Sequence, residues 1–320
     1  MRRTRRAAGA GLAVAMVLTA ACAPEEPPAP PQFSVRLLTP PNLSGRWEAA
    51  AERGLGLIAA ELDVAVARHR VDDGSESWQR HLAAEGRNGV ELVFCVGGGF
   101  EKVLYSEAGT FPETVFVLLP GRARAANVAG IEFLPEGAGY LAGVVAATVS
   151  TTRRAGLLRG TGRPWLEALE RGFEAGFRAH KRRAIVDTAQ GVEGVWAFNV
   201  TDVTIALYAT DEPDPEVMAA AREAGLRLIV TDPNQLALFS DLVVAAVDVD
   251  VAEAMLRVAR EVQDGFFTGQ IYSFDLGSGV LDLLLNSELD PVALESANEA
   301  LDAARAEVTA GLIDLDHLGL

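Results

Sequence analysis

Two short segments carry residue types and spacings that suggest chemistry. In "VELVFCVGGGFE" (90–101) an apolar run leads into three glycines and a helix start, the order of a dinucleotide-binding turn. That fingerprint needs a further glycine where Lys102 stands and an acid at the end of the next strand. The next strand reads "VFVLLPG" without one, so no dinucleotide is expected. The glycines would still let a solute approach backbone N–H groups at a helix N-terminus; a tight βα turn without ligand is the alternative. In "VDVDVAE" (247–253) the alternating aspartates suggest a calcium loop, but the glycine and distal glutamate of an EF-hand are missing. Asp250 is expected instead to cap a helix beginning at Val251, with Glu253 completing a capping-box-like pair.

Other reactive groups are dispersed. His69, His81, His180 and His317 lie far apart, and neither a G-x-S-x-G elbow nor an S-x-x-K motif occurs. Asp211 and Glu212 fall on a loop, where solvated acids are usual. The basic cluster 181–183 reads as cations at a helix C-terminus, with partner docking as the other option. Enzymatic catalysis, a metal and a cofactor are therefore not expected. What remains is a set of aromatic and polar residues suited to holding a small solute.

Those residues sit at the ends of alternating elements. Apolar runs at 35–38, 62–67, 92–96, 115–119, 128–133, 154–158, 184–188, 203–208, 227–231, 242–247 and 270–274 are expected strands. Helices are expected at 47–60, 78–85, 101–108, 135–149, 165–180, 215–224, 251–264 and 291–310. Continuous apolar strands alternating with helices of this length imply βαβ units and parallel sheets covered on both faces. Eleven strands exceed one comfortable sheet and are divided here between two lobes. Ligands of such folds gather beyond the carboxyl ends of the strands, which singles out 39–47, 97–100, 120–124, 208–215 and 232–234.

The chain's beginning has a different character. Arg2, Arg3, Arg5 and Arg6 precede an apolar run, and "LTAAC" ends at Cys22. Residues 1–21 read as an export signal, and a cysteine after small residues suggests a lipobox, with Thr19 and not leucine three places before it. Cys22 is the expected lipidation site, cleavage with plain secretion being the alternative. The Pro-rich stretch 22–32 is a spacer. Removing four arginines with residues 1–21 takes the net charge from −16 to −20, which disfavours nucleic acid as a partner. Cys22 and Cys95 are the only cysteines, too few for a disulfide framework or a zinc set. The uncharged run between Glu136 and Arg153 is shorter than the about 20 residues that span a membrane, so it is expected to be a buried helix.

That helix brings a resemblance into view. "GIEFLPEGAGYLAGVVAATVSTTRRAGLLRG" followed by "WLEALERGFEAGFRAH" resembles the basic membrane lipoproteins, the purine-nucleoside-binding substrate-binding proteins of ABC importers. "ELVFCVGGGFE", "AAREAGLRLIVTDPNQ" and "VDVAEAMLRVAREVQDGFFTGQIYSFDLGSGVLDL" extend it in order over about 33–315. The resemblance implies a type I periplasmic-binding-protein fold: two doubly wound parallel-sheet α/β lobes with three hinge crossovers, near 127–133, 243–248 and 267–272. Lobe one then comprises 33–130 and 244–270, and lobe two 131–243 and 271–320. It also implies that the glycine-bearing helix packs closely against its sheet.

Carried over by position, the family's early aspartate falls near Ser44, its F-N pair on Trp47 and Glu48, its post-strand aspartate on Pro120 and its ribose-holding lysine on Val247. Asp232 in "TDPNQ" keeps the remaining aspartate. Trp47 is thus expected to stack on a ligand, Gly97, Gly99 and Phe100 to present backbone donors, and Asp232 to accept from hydroxyls. Glu48 would read a cationic or donor-rich group. The implied protein is a monomeric, lipid-anchored solute-binding protein of the cell envelope that delivers a nucleoside-like ligand to an ABC permease. A sensor of the same fold without a transport partner, or a ligand other than a nucleoside, stays open.

Overall fold

The computed structural model describes residues 33–41, 43, 45–160 and 164–315. The expectations for residues 1–32, Cys22 among them, and for Ser44 lie outside the described residues.

Among the described residues, twelve strands form two six-stranded sheets. The first has the order β11(Ile271–Phe274), β5(Val128–Phe133), β4(Val115–Leu119), β3(Leu92–Val96), β1(Ser34–Thr39), β2(Ala65–Arg70), every pair parallel. The second has the order β12(Leu281–Leu285), β10(Val243–Val249), β9(Arg227–Val230), β8(Ile205–Ala209), β6(Arg154–Arg159), β7(Ile185–Gln190). It too is parallel except for β12, which runs antiparallel to β10. Strands such as β3 and β8 are buried at every position, as sheets covered by helices on both faces require. Lobe one is covered by α1(Gly45–Glu61), α2(Ser75–Arg87), α3(Glu101–Glu107) and α9(Val251–Gln263); lobe two by α4(Glu136–Val149), α5(Pro164–His180), α6(Gly191–Val200), α7(Pro215–Ala224), α8(Asn234–Leu238) and α10(Pro291–Thr309). The α/β architecture with two parallel-dominated sheets is the one expected.

The chain crosses between lobes after β5, at Asp250 after β10, and at Asp275 after β11. Residues 131–133 and 271–274 therefore belong to the first sheet and 244–249 to the second, where the division made from sequence placed them in the opposite lobes. Each strand runs to the end of its register, Phe274 opposite Phe133 and Val249 opposite Leu281, before the chain leaves its sheet.

Helix α4 is buried from Gly137 to Ala147. Its glycines face another helix, not the sheet as the resemblance implied. A Cβ on Gly139 would overlap the carbonyl oxygen of Leu169, and one on Gly143 that of Phe173. Conversely, a Cβ on Gly172 or Gly176 of α5 would overlap the carbonyl oxygens of Glu136 or Tyr140. Four glycines thus bring two helix backbones into direct contact, and the sheet is met by other residues of α4. The basic cluster after α5 has a defined role: Lys181 Nζ donates to the carbonyls of Ala147 (2.9 Å) and Ser150 (2.8 Å), closing the end of α4.

Asp250 caps α9, its carboxylate accepting from Glu253 N at 3.0 Å. The Glu253 side chain pairs with Arg257 at 2.7 Å and the Asp250 N–H goes to Val280 O, so half of the expected capping box forms. Among the described residues no helix is long and apolar enough to cross a membrane, and no group of His, Cys, Asp or Glu could hold a metal ion.

Candidate binding cleft

The carboxyl ends of both sheets converge on one cleft. From lobe one come the first turn of α1 (Arg46, Trp47, with Arg53 two turns further along), the turn after β3 (Gly98) and the turn after β4 (Pro120, Gly121, Arg122). From lobe two come Trp165 at the start of α5 and the β9–α8 turn (Asp232, Pro233, Asn234), and Asp248 and Val249 lie at the second crossing. Two cavities result, and Trp47 lines both. One, of about 460 Å³, is mainly apolar, with Phe133, Pro120 and Trp165 against Trp47 and the charged pair Arg122–Glu132 (2.5 Å) at its edge. The other, of about 310 Å³, is lined by Arg46, Arg53, Asp232, Asn234 and Asp248. Both volumes fall within the range of small-molecule sites, about 300–1,000 Å³.

Trp47 is 2% exposed. Its ring lies 5.8 Å from Phe133 and meets Trp165 edge-on at 6.2 Å. Its indole N–H donates to Asp211 Oδ1 at 3.2 Å, and the Trp165 indole donates to the same oxygen at 3.3 Å. Asp211, on the loop after β8, is 7% exposed. It is therefore not the solvated loop acid that its neighbourhood in sequence suggested, although Glu212 beside it is exposed. A buried carboxylate needs donors, and indoles from both lobes supply them.

Arg46 lies over Trp165 (5.5 Å to the ring centre) and Trp47 (5.9 Å), within cation–π range. Its side chain as a whole is half-buried, while Nη1 is shut off from solvent with no hydrogen-bond partner among the described residues. Such a donor costs roughly 1–3 kcal/mol. Burial pulls the Arg46 guanidinium below its ordinary value, and Asp232, Asp211 and Asp248 oppose that shift. Burial and the neighbouring Asp250 push the Asp248 carboxyl above its usual range.

The expected site residues separate in space. Trp47 and Asp232 share the polar cavity. Asp232 Oδ1 accepts from Asn234 N (3.1 Å) and Nδ2 (3.0 Å), which shapes the turn that presents it. Glu48 points to the edge strand β2, pairing with Arg68 at 2.6 Å and with Arg70. Gly97 takes φ +106°, which a side chain would strain, and its N–H donates to Leu119 O at 2.8 Å. Gly99 and Phe100 face the lobe-one core: a Cβ on Gly99 would overlap the Trp78 ring, and Phe100 stacks on Trp78 at 5.1 Å. Of that turn, Gly98 lines the apolar cavity, as does Pro120, whereas Val247 is buried in the lobe-two core. Sequence reasoning assigned Arg46, Phe133, Trp165, Asp211 and Asp248 no role in binding, although Arg46 and Asp211 fall within the strand-end segments it singled out. Position beside an expected strand-end loop or next to Trp47 was the available signal for most of them.

Four similarities to known proteins bear on this geometry. The Transcriptional activator protein med of Bacillus subtilis (strain 168) is 25% identical over 208 residues, 62% of this chain and 64% of that protein's length. The crystal structure of a transcriptional activator of the comK gene from Bacillus halodurans superposes with TM-score 0.76 at 22% identity, covering 87% of this chain and 98% of that one. An ABC transporter system solute-binding protein from Conexibacter woesei DSM 14684 gives TM-score 0.74 at 16% identity, over 89% and 99%. The model of the Bmp family, ABC transporter substrate-binding protein PnrA-like, matches residues 45–311. With that match extending over most of its length, the chain belongs to the Bmp family of ABC transporter substrate-binding proteins.

Proposed function

We propose that the protein captures a small, polar, ring-bearing solute of nucleoside type between its two lobes, outside the cytoplasm, and delivers it to an ABC permease while a lipid on Cys22 holds it at the membrane. The observation that carries this reading is the pair of cavities about Trp47, one aromatic and one polar, with walls from both lobes. A flat ring suits the first and hydroxyl or carbonyl groups the second. Hinge closure over such a ligand would act at the three crossings.

Thermal unfolding of the purified protein with adenosine, guanosine, inosine or uridine tests the reading. Ligand at a hundred times its dissociation constant adds about 2.7 kcal/mol, enough to raise Tm by several degrees. No shift with any of them, in folded and ligand-free protein, would remove nucleosides from the proposal. Fractionation of cells carrying Cys22→Ser tests the anchor: release from the membrane fraction is expected.

The two relatives named as transcriptional activators favour a second reading, a sensor without a transporter. Uptake of labelled ligand that is unaffected by deletion of the gene, alongside intact binding in vitro, would select it.

A further inference from the structure

We infer that the cleft selects its solute by a hydrogen-bond-acceptor edge on a planar ring, such as a ring carbonyl with an adjacent ring nitrogen, and that Arg46 is the residue that reads it. This rests on the capture of a solute in the cleft proposed above and names the chemical class of that solute.

Arg46 is held by aromatic faces and not by hydrogen bonds. Trp165 and Trp47 lie within 5.5 and 5.9 Å of its guanidinium carbon, and Nη1 is buried without a hydrogen-bond partner among the described residues. A guanidinium fixed by stacking keeps its planar fork of donors available, and that fork matches two adjacent acceptors on a ring edge. The nearby acids are committed in part. Asp211 Oδ1 receives the two indole N–H groups, and Asp232 Oδ1 receives two donors from Asn234. Arg46 also lines the polar cavity, so an acceptor seated there lies beside a guanidinium with no hydrogen-bond partner of its own at Nη1 among the described residues.

The acids decide between a neutral acceptor and an anion. Asp211, Asp232 and Asp248 all act on Arg46, and Arg53 is the other cation lining the polar cavity. Two cations among three aspartates leave no excess positive charge for a phosphate or carboxylate. A neutral oxo-heterocycle offers the Arg46 guanidinium an acceptor without entering a repulsive field, while the hydroxyl groups of an attached sugar would suit Asp232. An exocyclic amino group in place of the carbonyl would set donor against donor.

Inosine and adenosine form the first test pair, since they differ at one exocyclic position beside the ring N7 acceptor, oxo against amino; 9-methylhypoxanthine and 9-methyladenine repeat the contrast without a sugar. Calorimetric titration of the purified protein is expected to show the oxo member of a pair binding at least tenfold tighter. Arg46→Met is expected to abolish that preference by weakening the oxo ligand, and Arg46→Lys, which keeps charge but not the fork, to retain part of it. Thermal unfolding of each variant establishes that it folds. Equal affinity within both pairs, a preference for the amino member, or an unchanged ratio in Arg46→Met would overturn the inference. Mass spectrometry of small molecules released by denaturing the protein separates its failure from that of solute capture. A released or bound solute without an acceptor edge sinks the Arg46 role and leaves capture standing; no binding and no released solute sinks both.

Discussion

Trp47 of lobe one donates its indole N–H to the buried carboxylate of Asp211 in lobe two, at 3.2 Å. Trp165 donates to the same oxygen, so the aromatic wall of the cleft is tied to one acid across the lobe boundary. Asp211→Ala deprives both indoles of that acceptor. At roughly 1–3 kcal/mol for each donor left unmade, a loss of about 2–6 kcal/mol is expected, read as a lower midpoint in urea. Asp211→Asn, which keeps an acceptor oxygen, should lose less.

The contact between α4 and α5 makes a sharper stability prediction. Gly143→Ala would drive a methyl group into the Phe173 carbonyl and the backbone of 176–177, an overlap that helix backbones cannot relieve by a rotamer change. Overpacking of this kind costs about 1–3 kcal/mol or more. Gly56→Ala, in an exposed part of α1 with open space at the added carbon, should stabilise by up to about 1 kcal/mol through helix propensity. Opposite signs for the same substitution in two helices, measured by equilibrium unfolding, would separate close approach from propensity.

How far the sequence reported these features depended on burial. Strands buried on both faces, such as β3 and β8, stood out as apolar runs. Strand β2 begins three residues later than its expected start because it is an edge strand whose second half, Arg68–His69–Arg70, is polar and half-buried or exposed. Strand β12 carried no expectation: it is an antiparallel edge reached by a short turn through Gly279 at φ +73°, outside the βα alternation. Helix α6 was legible only by its place before β8, as a short helix in "QGVEGVWAFNV", since Gly191 and Gly194 weaken its own pattern. In the site, Trp47 and Asp232 were legible because they sit at strand-end loops. Asp211 was not, since its burial is created by two tryptophans that lie 164 and 46 residues away in the chain. Glu48 has the right address in sequence, but one helix position turns it from the cleft toward β2.

Asp248 predicts a pH effect of defined sign. Burial, with the nearby Asp250, raises its carboxyl above the usual range, and the pull of Arg46 does not cancel this. A raised value means that the folded chain holds this proton more tightly than the unfolded chain. Stability therefore falls as pH rises through that interval, and the ionised group is a net cost at neutral pH. Asp248→Asn should unfold at a higher temperature than the parent at pH 7. The gap should narrow on acidification and close below about pH 4, near the unfolded carboxyl's own value. A gap that is constant with pH would assign the effect to packing instead.

The two acids expected to touch ligand should behave differently. Asp232 lines the polar cavity on a turn fixed by Asn234, and removing its carboxylate takes away a charged acceptor for solute hydroxyls. Asp232→Ala should weaken inosine binding more than tenfold, a loss in the range of a hydrogen bond to a charged group, about 1.5–3 kcal/mol. Its effect on Tm should be slight, because the side chain is partly exposed. Glu48→Gln should show the reverse. Its carboxylate is engaged with Arg68 and Arg70 on β2, so inosine affinity should stay within about twofold and stability should fall by up to about 1 kcal/mol. Affinity unchanged in Asp232→Ala would remove that residue from the site, and a tenfold loss in Glu48→Gln would return Glu48 to it. Calorimetry with inosine on both variants, beside their unfolding curves, distinguishes an acid that meets the solute from one that holds α1 against its sheet.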